Sequence, residues 1–366
     1  MLEASLEEDS VIKTLSVLER NPLFWFLEKD GIDQIQHGSL SKTLILQENG
    51  RQKTISVFAE TLAANPDKKL NEDSYLVLPF GAGRMLFAVM DGASSQREIE
   101  ALAAYGVTGA FYISHLVSLG FKDSPQSQEL SQRENLTAGE IMKTVNSWIF
   151  EKMQKVPGVN YSDVLSVPGM ATTLILIDLT NSQATIAHVA DTVACAFYRD
   201  GRIKILTPNQ NERFDRETME FIGSLCDEYG CSLAQIHEIP EAKAKIKAQL
   251  QESFRRKINK ENACGILNGM PELVRNNLIF ESKIKISRNL SSIFLVSDGA
   301  RIPYTGVGIS GEGAAQSLIQ NFQSSEGASV LEAGALRLDN DPDFEKIHRL
   351  KHRDDATIIE ISLNKQ

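Results

Sequence analysis

Four β-like segments crowd into residues 172–207: "TTLILIDL" at 172–179, "QATIAHVA" at 183–190, "VACAFYRD" at 193–200 and "RIKILT" at 202–207. The links are Thr180-Asn181-Ser182, Asp191-Thr192 and the hairpin signal Asp200-Gly201. A parallel connection needs a crossover of about a dozen residues or more, so links this short predict an antiparallel meander rather than a βαβ alternation. The same grouping recurs on both sides. "KTLILQENGRQKTISVFAE" reads as two strands around Asn49-Gly50, and "DSYLVLPF" and "RMLFAVMD" flank the "GAG" at 81–83. Further on come "IFESKIKI", "SSIFLVSD" and a last strand, "ATIIEISL".

Helical text separates these groups. Residues 6–30 read as an amphipathic helix ending near Asn21-Pro22, followed by a short apolar segment. Ser95 and Glu98 make a capping-box pattern, after which Ile99, Leu102, Gly106, Ala110, Ile113 and Val117 keep a helical period. Residues 137–154 give a second helix, with Trp148 on its core face, and 208–262 are mostly helical and polar. A Gly/Ala-rich helix is expected at 311–321, and helical text continues to about 350. Groups of strands with helices inserted between them predict an α+β fold, with two antiparallel sheets packed face to face and helices outside. The sheets would share one core. The expected organisation is an N-terminal helical extension over 1–41 and one domain over 42–366, with a mostly helical insert at about 208–280.

The 366-residue chain, 42% hydrophobic and 23% charged, has the length and composition for a large soluble core. Its net charge of −10 argues against general nucleic-acid binding. Cys195, Cys226, Cys231 and Cys264 include no C-x-x-C pair, so a thiolate metal site is not indicated and a reduced, cytoplasmic compartment is expected. The acidic start "MLEASLEEDS" lacks the order of a signal peptide, and no apolar run reaches the length of a membrane span. His348 and His352 are four apart, but a solvated basic helix end is the simpler expectation for "HRLKH". The basic segment 241–260 carries Ile246, Leu250, Phe254 and Ile258 at intervals of four and reads as a helix packed on the core.

Carboxylates recur where strands end. Asp91-Gly92 follows one apolar run, Asp298-Gly299 follows another, Asp191 sits between two strands, Asp354-Asp355 precedes the last strand, and Glu72-Asp73 opens an earlier one. Each Asp-Gly alone favours a turn. Jointly they suggest that several strands deliver acidic ends to one place, where they would repel unless cations bridged them. An all-oxygen donor set without histidine suits magnesium, manganese or calcium.

The ordered set "NEDSY" (71–75), "FAVMDGAS" (87–94), "GMATTLILIDL" (169–179), "AHVADTVACAFYRDGRIKILT" (187–207), "IFLVSDG" (293–299) and "RDDATIIEI" (353–361) resembles the PPM/PP2C metal-dependent serine/threonine phosphatases. The resemblance implies a four-layer αββα sandwich, Mg2+ or Mn2+ as cofactor, and a phosphoprotein as substrate. It puts Asp91 at the aspartate bridging two ions, with the Gly92 carbonyl beside it. Asp298 and Asp354 fall at the other carboxylates of the first ion, Glu72 and Asp73 at the pair supporting the second, and Asp191 at a third, weaker ion. Lys68, with Lys69 beside it, stands near the family's phosphate-binding arginine. The implied reaction is hydrolysis of phosphoserine or phosphothreonine by direct attack of a metal-bridging hydroxide.

The chain departs from that pattern in places. "DGASS" lacks the histidine that usually follows the first Asp-Gly, Ala190 replaces a glycine, Thr192-Val193 replaces Ser-Arg, and Lys68 cannot grip phosphate in a bidentate fork. These changes keep two alternatives open: a pseudophosphatase that binds phosphoproteins without turnover, and a hydrolase of small phosphate esters.

Overall fold

The computed structural model describes residues 37–48, 51–64, 70–93, 97–305, 317–322, 329–349 and 351–363. The helix expected within 6–30, and Lys68, Lys69 and Ser95, lie outside the described residues. In chain order, β1 (His37–Glu48) and β2 (Arg51–Leu62) form one hairpin, and β3 (Asp73–Pro79) and β4 (Arg84–Ala93) form another. Helices α1 (Glu100–Ala103), α2 (Gly109–Gly120), α3 (Pro125–Gln132) and α4 (Ala138–Met153) follow. Next come β5 (Gly169–Asp178), β6 (Gln183–Val189), β7 (Val193–Tyr198) and β8 (Ile203–Ile205), then α5 (Glu212–Tyr229), α6 (Pro240–Lys257) and α7 (Glu272–Arg275). The chain closes with β9 (Phe280–Lys285), β10 (Leu290–Val296), α8 (Asp298–Thr305), α9 (Val330–Asp339) and β11 (Ala356–Leu363).

The strands pair antiparallel in two sheets, ordered β1-β2-β11-β10-β7-β8 and β3-β4-β5-β6-β9. Side chains on a strand alternate faces, and here both faces are buried. From β4, Met85, Phe87 and Val89 enter the core between the sheets, meeting Ile293 and Leu295 of β10 and Ile359 of β11. Leu86, Ala88 and Met90 turn the other way, onto Phe111 and Leu116 of α2 and Trp148 of α4. The outer face of the other sheet presents Phe294, Val296 and Ile358 to Val330 and Leu331 of α9. Helix, sheet, sheet and helix therefore stack as an α+β four-layer sandwich. The continuous apolar text of β4 and β10 is the consequence of burial on both sides.

Several expectations are corrected. The sandwich begins at His37 rather than at residue 42, because β1 pairs with β2 along its whole length. Ser39 and Ser41 of this edge strand are exposed, so "HGSLS" carries little apolar signal. The four-strand meander is broken: β5 and β6 belong to one sheet, β7 and β8 to the other. The chain changes sheets at Ala190-Asp191-Thr192, with Ala190 in the left-handed region at φ 69°. A link this short serves a corner as well as a hairpin, and its length alone does not distinguish them. The helix expected from Ile99 to Val117 is split between α1 and α2 by Gly106, at φ 67°. Ile99 occupies the N-cap of α1 and makes no side-chain cap, whereas Thr108 caps α2 by accepting the Phe111 N–H. Helical structure stops at Asp339 rather than near 350, so His348 and His352 do not share a helical face.

The insert has its own small core, in which Ile222 and Leu225 of α5 pack with Ile236, Ala242 and Ile246. The apolar stripe of α6 is buried through Ile246 and Phe254, as the spacing predicts. No described helix is long and apolar enough to cross a membrane.

Candidate metal centre

Register brings the acidic residues to one end of the sandwich. Asp73 opens β3 and stands opposite Asp91 near the end of β4. Asp91 is opposite Ala171 at the start of β5, and Thr172 beside it pairs with Val189 at the end of β6. Asp191 lies two residues beyond Val189. In the facing sheet, Val296 pairs with Val193 and with Ile358, which puts Asp298 after the end of β10 and Asp354 before the start of β11. Asp91 and Asp298, more than 200 positions apart in the sequence and on different sheets, are close enough for their charges to act on each other.

Neither Asp-Gly forms a hairpin turn. Asp91-Gly92 is still within β4, and Asp298-Gly299 opens α8. The glycines answer to crowding. A Cβ on Gly92 would lie 2.6 Å from the Ala110 carbonyl oxygen and 2.7 Å from that of Glu72. A Cβ on Gly299 would run into the Asp355 carbonyl oxygen. Asp355 in turn holds the approach to β3, accepting the N–H of Ala64 on Oδ1 and the N–H of Glu72 on Oδ2, each at 2.7 Å. The Asp191 corner is held by the Asn211 amide, which donates to Oδ2 at 2.6 Å. Gln210 braces the same corner through the Ala190 N–H and the Gly265 N–H.

The carboxylates act on one another. Loss of water around Asp91, followed by the charges of Asp298, Asp73, Asp191 and Asp354, raises its pKa well above the usual range. Asp73 is raised by burial and then by Asp355, with Asp354 and Asp298 adding to it; a hydrogen bond with Ser297 opposes the shift. Asp298 is pushed up to about 7 by burial, Asp354 and Asp191. Asp73 Oδ2 and Asp298 Oδ1 are buried with no hydrogen-bond partner among the described residues. Uncompensated carboxylates in this density fit a divalent cation: all donors are oxygen, and a bound ion would return the electrostatic energy they lack. Among the described residues no three Asp, Glu, His or Cys side chains already form a closed cage.

Glu72 behaves differently from its neighbour. Its carboxylate accepts a hydrogen bond from the Thr108 hydroxyl at 2.7 Å, at the cap of α2. Lys68 lies outside the described residues.

An open pocket adjoins Asp298 and Asp354, walled by Asp215, Arg301, Lys351 and Arg353. None of these four stands out in the sequence. Asp215, on α5, is raised to about 7 by burial and then by Asp191. In "ERFDRE" it looks like one charge among several on a solvated helix. Asp355 is visible there only as the second half of an acidic pair, and its two backbone hydrogen bonds have no sequence signal.

A sequence model of the protein phosphatase 2C family matches residues 62–333. No curated protein sequence matches the chain. Among solved structures, RsbX in complex with magnesium is 13% identical, with a TM-score of 0.40, covering 88% of this chain and 100% of its own. The Mycobacterium tuberculosis serine/threonine phosphatase PstP/Ppp is 17% identical, with a TM-score of 0.41, covering 89% and 98%. The Staphylococcus aureus serine/threonine phosphatase Stp1 is 13% identical, with a TM-score of 0.39, covering 88% and 94%. With the family match spanning most of the chain, this protein belongs to the protein phosphatase 2C family.

Proposed function

We propose that the protein is a phosphoprotein phosphatase that hydrolyses phosphoserine or phosphothreonine with Mg2+ or Mn2+. The observation that carries this is the placing of Asp73, Asp91, Asp298 and Asp354 at strand ends on one side of the sandwich, with Asp73 Oδ2 and Asp298 Oδ1 buried and without a hydrogen-bond partner among the described residues. These four residues would hold the ions, with Asp91 between them. Asp191, steadied by Asn211, would serve a third. Bound ions would supply the charge that acidifies an attacking water and offsets the negative charge growing on the phosphoryl oxygens.

The chain's own residues do the rest. The β3–β4 register fixes the Asp73–Asp91 spacing, and Asp355 pins the backbone at Glu72 from the far side. Gly92 permits a close approach of Ala110 and Glu72, which brings the N-terminal part of α2 against the centre. Buried Cys195 and Cys264 are held as thiols well above the usual range by burial, which makes them poor nucleophiles, and the reaction needs none. Lys68 would meet the substrate phosphate, a role assigned from the resemblance alone.

The test is turnover of p-nitrophenyl phosphate and of a phosphothreonine peptide, with Mn2+ and with EDTA. Manganese-dependent release that is lost in Asp91→Asn supports a phosphatase. Manganese-dependent phosphopeptide binding without release would favour the pseudophosphatase. Equal turnover of peptide and small ester would favour a broader esterase.

A further inference from the structure

The pocket beside Asp298 and Asp354 has a cationic wall, and its members differ in how tightly they are held. Arg349 is 2% exposed and closed off, donating to Asp341 Oδ2 and to the carbonyls of Leu338, Asp341, Ile347 and His352. Arg353 is forked onto both oxygens of Asp339. Arg301 is buried at 7% exposure. Lys351 is different: its side chain is 60% exposed, and it lines the pocket with its ammonium 2.5 Å from Asp354 Oδ2.

We infer that Lys351 is a further residue that grips the phosphoryl group of the substrate, from the Asp354 side of the centre. This rests on the phosphatase proposal above. The reason is an exchange of charge partners. Asp354 is a candidate ligand of the metal centre, so in the working protein its carboxylate has a stronger partner than an ammonium. Lys351 then keeps its place in the pocket wall, and the next anion to arrive there is the substrate's phosphate. A lysine is well matched to that anion, because its ammonium is a compact charge with three donors on a flexible stem, able to follow a tetrahedral group without a fixed fork. Arg349 and Arg353 are already committed to structural partners and cannot turn toward a ligand at comparable cost, and Arg301 is buried in the wall.

The test uses the full chain with Mn2+, inorganic phosphate and p-nitrophenyl phosphate. Phosphate binding is read from the broadening of its 31P resonance by bound Mn2+, and Mn2+ binding from the electron paramagnetic resonance of the free ion. Losing a charge-assisted contact should weaken phosphate binding in Lys351→Ala about tenfold or more, and raise KM by a similar factor. The kcat should stay within about threefold, because a contact made equally in ground and transition states acts mainly on KM. Lys351→Arg should retain most phosphate binding, and Mn2+ affinity should be equal or tighter in both variants. Unchanged phosphate affinity in Lys351→Ala overturns the assignment, as does a parallel fall in Mn2+ affinity, which would mean that Lys351 shapes the metal site instead. If the wild type turns nothing over but loses phosphate binding in Lys351→Ala, the phosphatase proposal fails and the assignment stands. If the wild type turns over and Lys351→Ala matches it in KM, the reverse holds. A wild type that binds no phosphate with Mn2+ present overturns the assignment.

Discussion

Asp73 and Asp91 face each other across the β3–β4 ladder, where burial and then the charges of Asp298 and Asp73 lift the Asp91 pKa. Like charges directly opposite on a sheet are destabilising, so the fold holds this pair at a cost. Asp91→Asn should therefore stabilise the metal-free protein while removing a metal donor. The expected rise in melting temperature is about 2–4 °C, corresponding to roughly 1 kcal/mol of relieved repulsion. Scanning calorimetry in EDTA checks it; a fall in Tm would show that Asp91 has a stabilising role unrelated to metal.

The raised carboxylates also set a pH dependence. An acid whose folded pKa lies above its unfolded value stabilises the fold below the unfolded pKa, and that stability is lost as pH rises through the folded one. With Asp298 at about 7 and Asp73 and Asp91 also raised, the metal-free protein should lose stability between about pH 4 and pH 7 from this source. Metal must displace those protons. Mn2+ affinity should rise between about pH 5.5 and 7.5, with proton release visible as a buffer-dependent heat in titration calorimetry.

His115 has the opposite sign. It is 4% exposed, stacked on Phe111 at 4.1 Å, and burial lowers its pKa to about 4. The unfolded chain takes up the proton first, so stability from this residue falls as pH drops from about 6.5 to 4. The loss is on the order of 1–3 kcal/mol. His115→Gln should flatten that part of a urea-midpoint profile against pH, leaving the part above about pH 7 unchanged.

Gly92 and Gly299 are predicted to resist substitution for packing reasons alone. Alanine at Gly299 would drive its Cβ into the Asp355 backbone, and alanine at Gly92 into Ala110 and Glu72. Each should cost roughly 1–3 kcal/mol, since the obstructing atoms are backbone. Urea denaturation measures this, and a change below about 0.5 kcal/mol would show that the neighbouring segments yield easily.

Much of the sandwich was legible because its strands carry their evidence locally. β4 and β10 are apolar on both faces, and short links excluded parallel pairing. What failed was whatever depends on a partner far along the chain. The Asp191 corner and a hairpin use the same short link, and only the pairing of Val193 with Val296 decides between them. The edge strand from His37 pairs with β2 along its whole length, and its start, "HGSLS", offers a single apolar residue. At the centre, Asp91 and Asp298 announced themselves by a repeated Asp-Gly after an apolar run. Lys351 and Asp215 did not, since a charge on a loop or an exposed-looking helix carries no mark of the pocket it will line.

The central claim is that the acidic end of the sandwich holds divalent ions, and the most direct measurement is Mn2+ binding to the purified chain by electron paramagnetic resonance of the free ion. The account predicts about two ions per wild-type chain, with Asp91→Asn weakening binding about a hundredfold. Absence of binding in the wild type, or wild-type binding unaltered in Asp91→Asn, would contradict it.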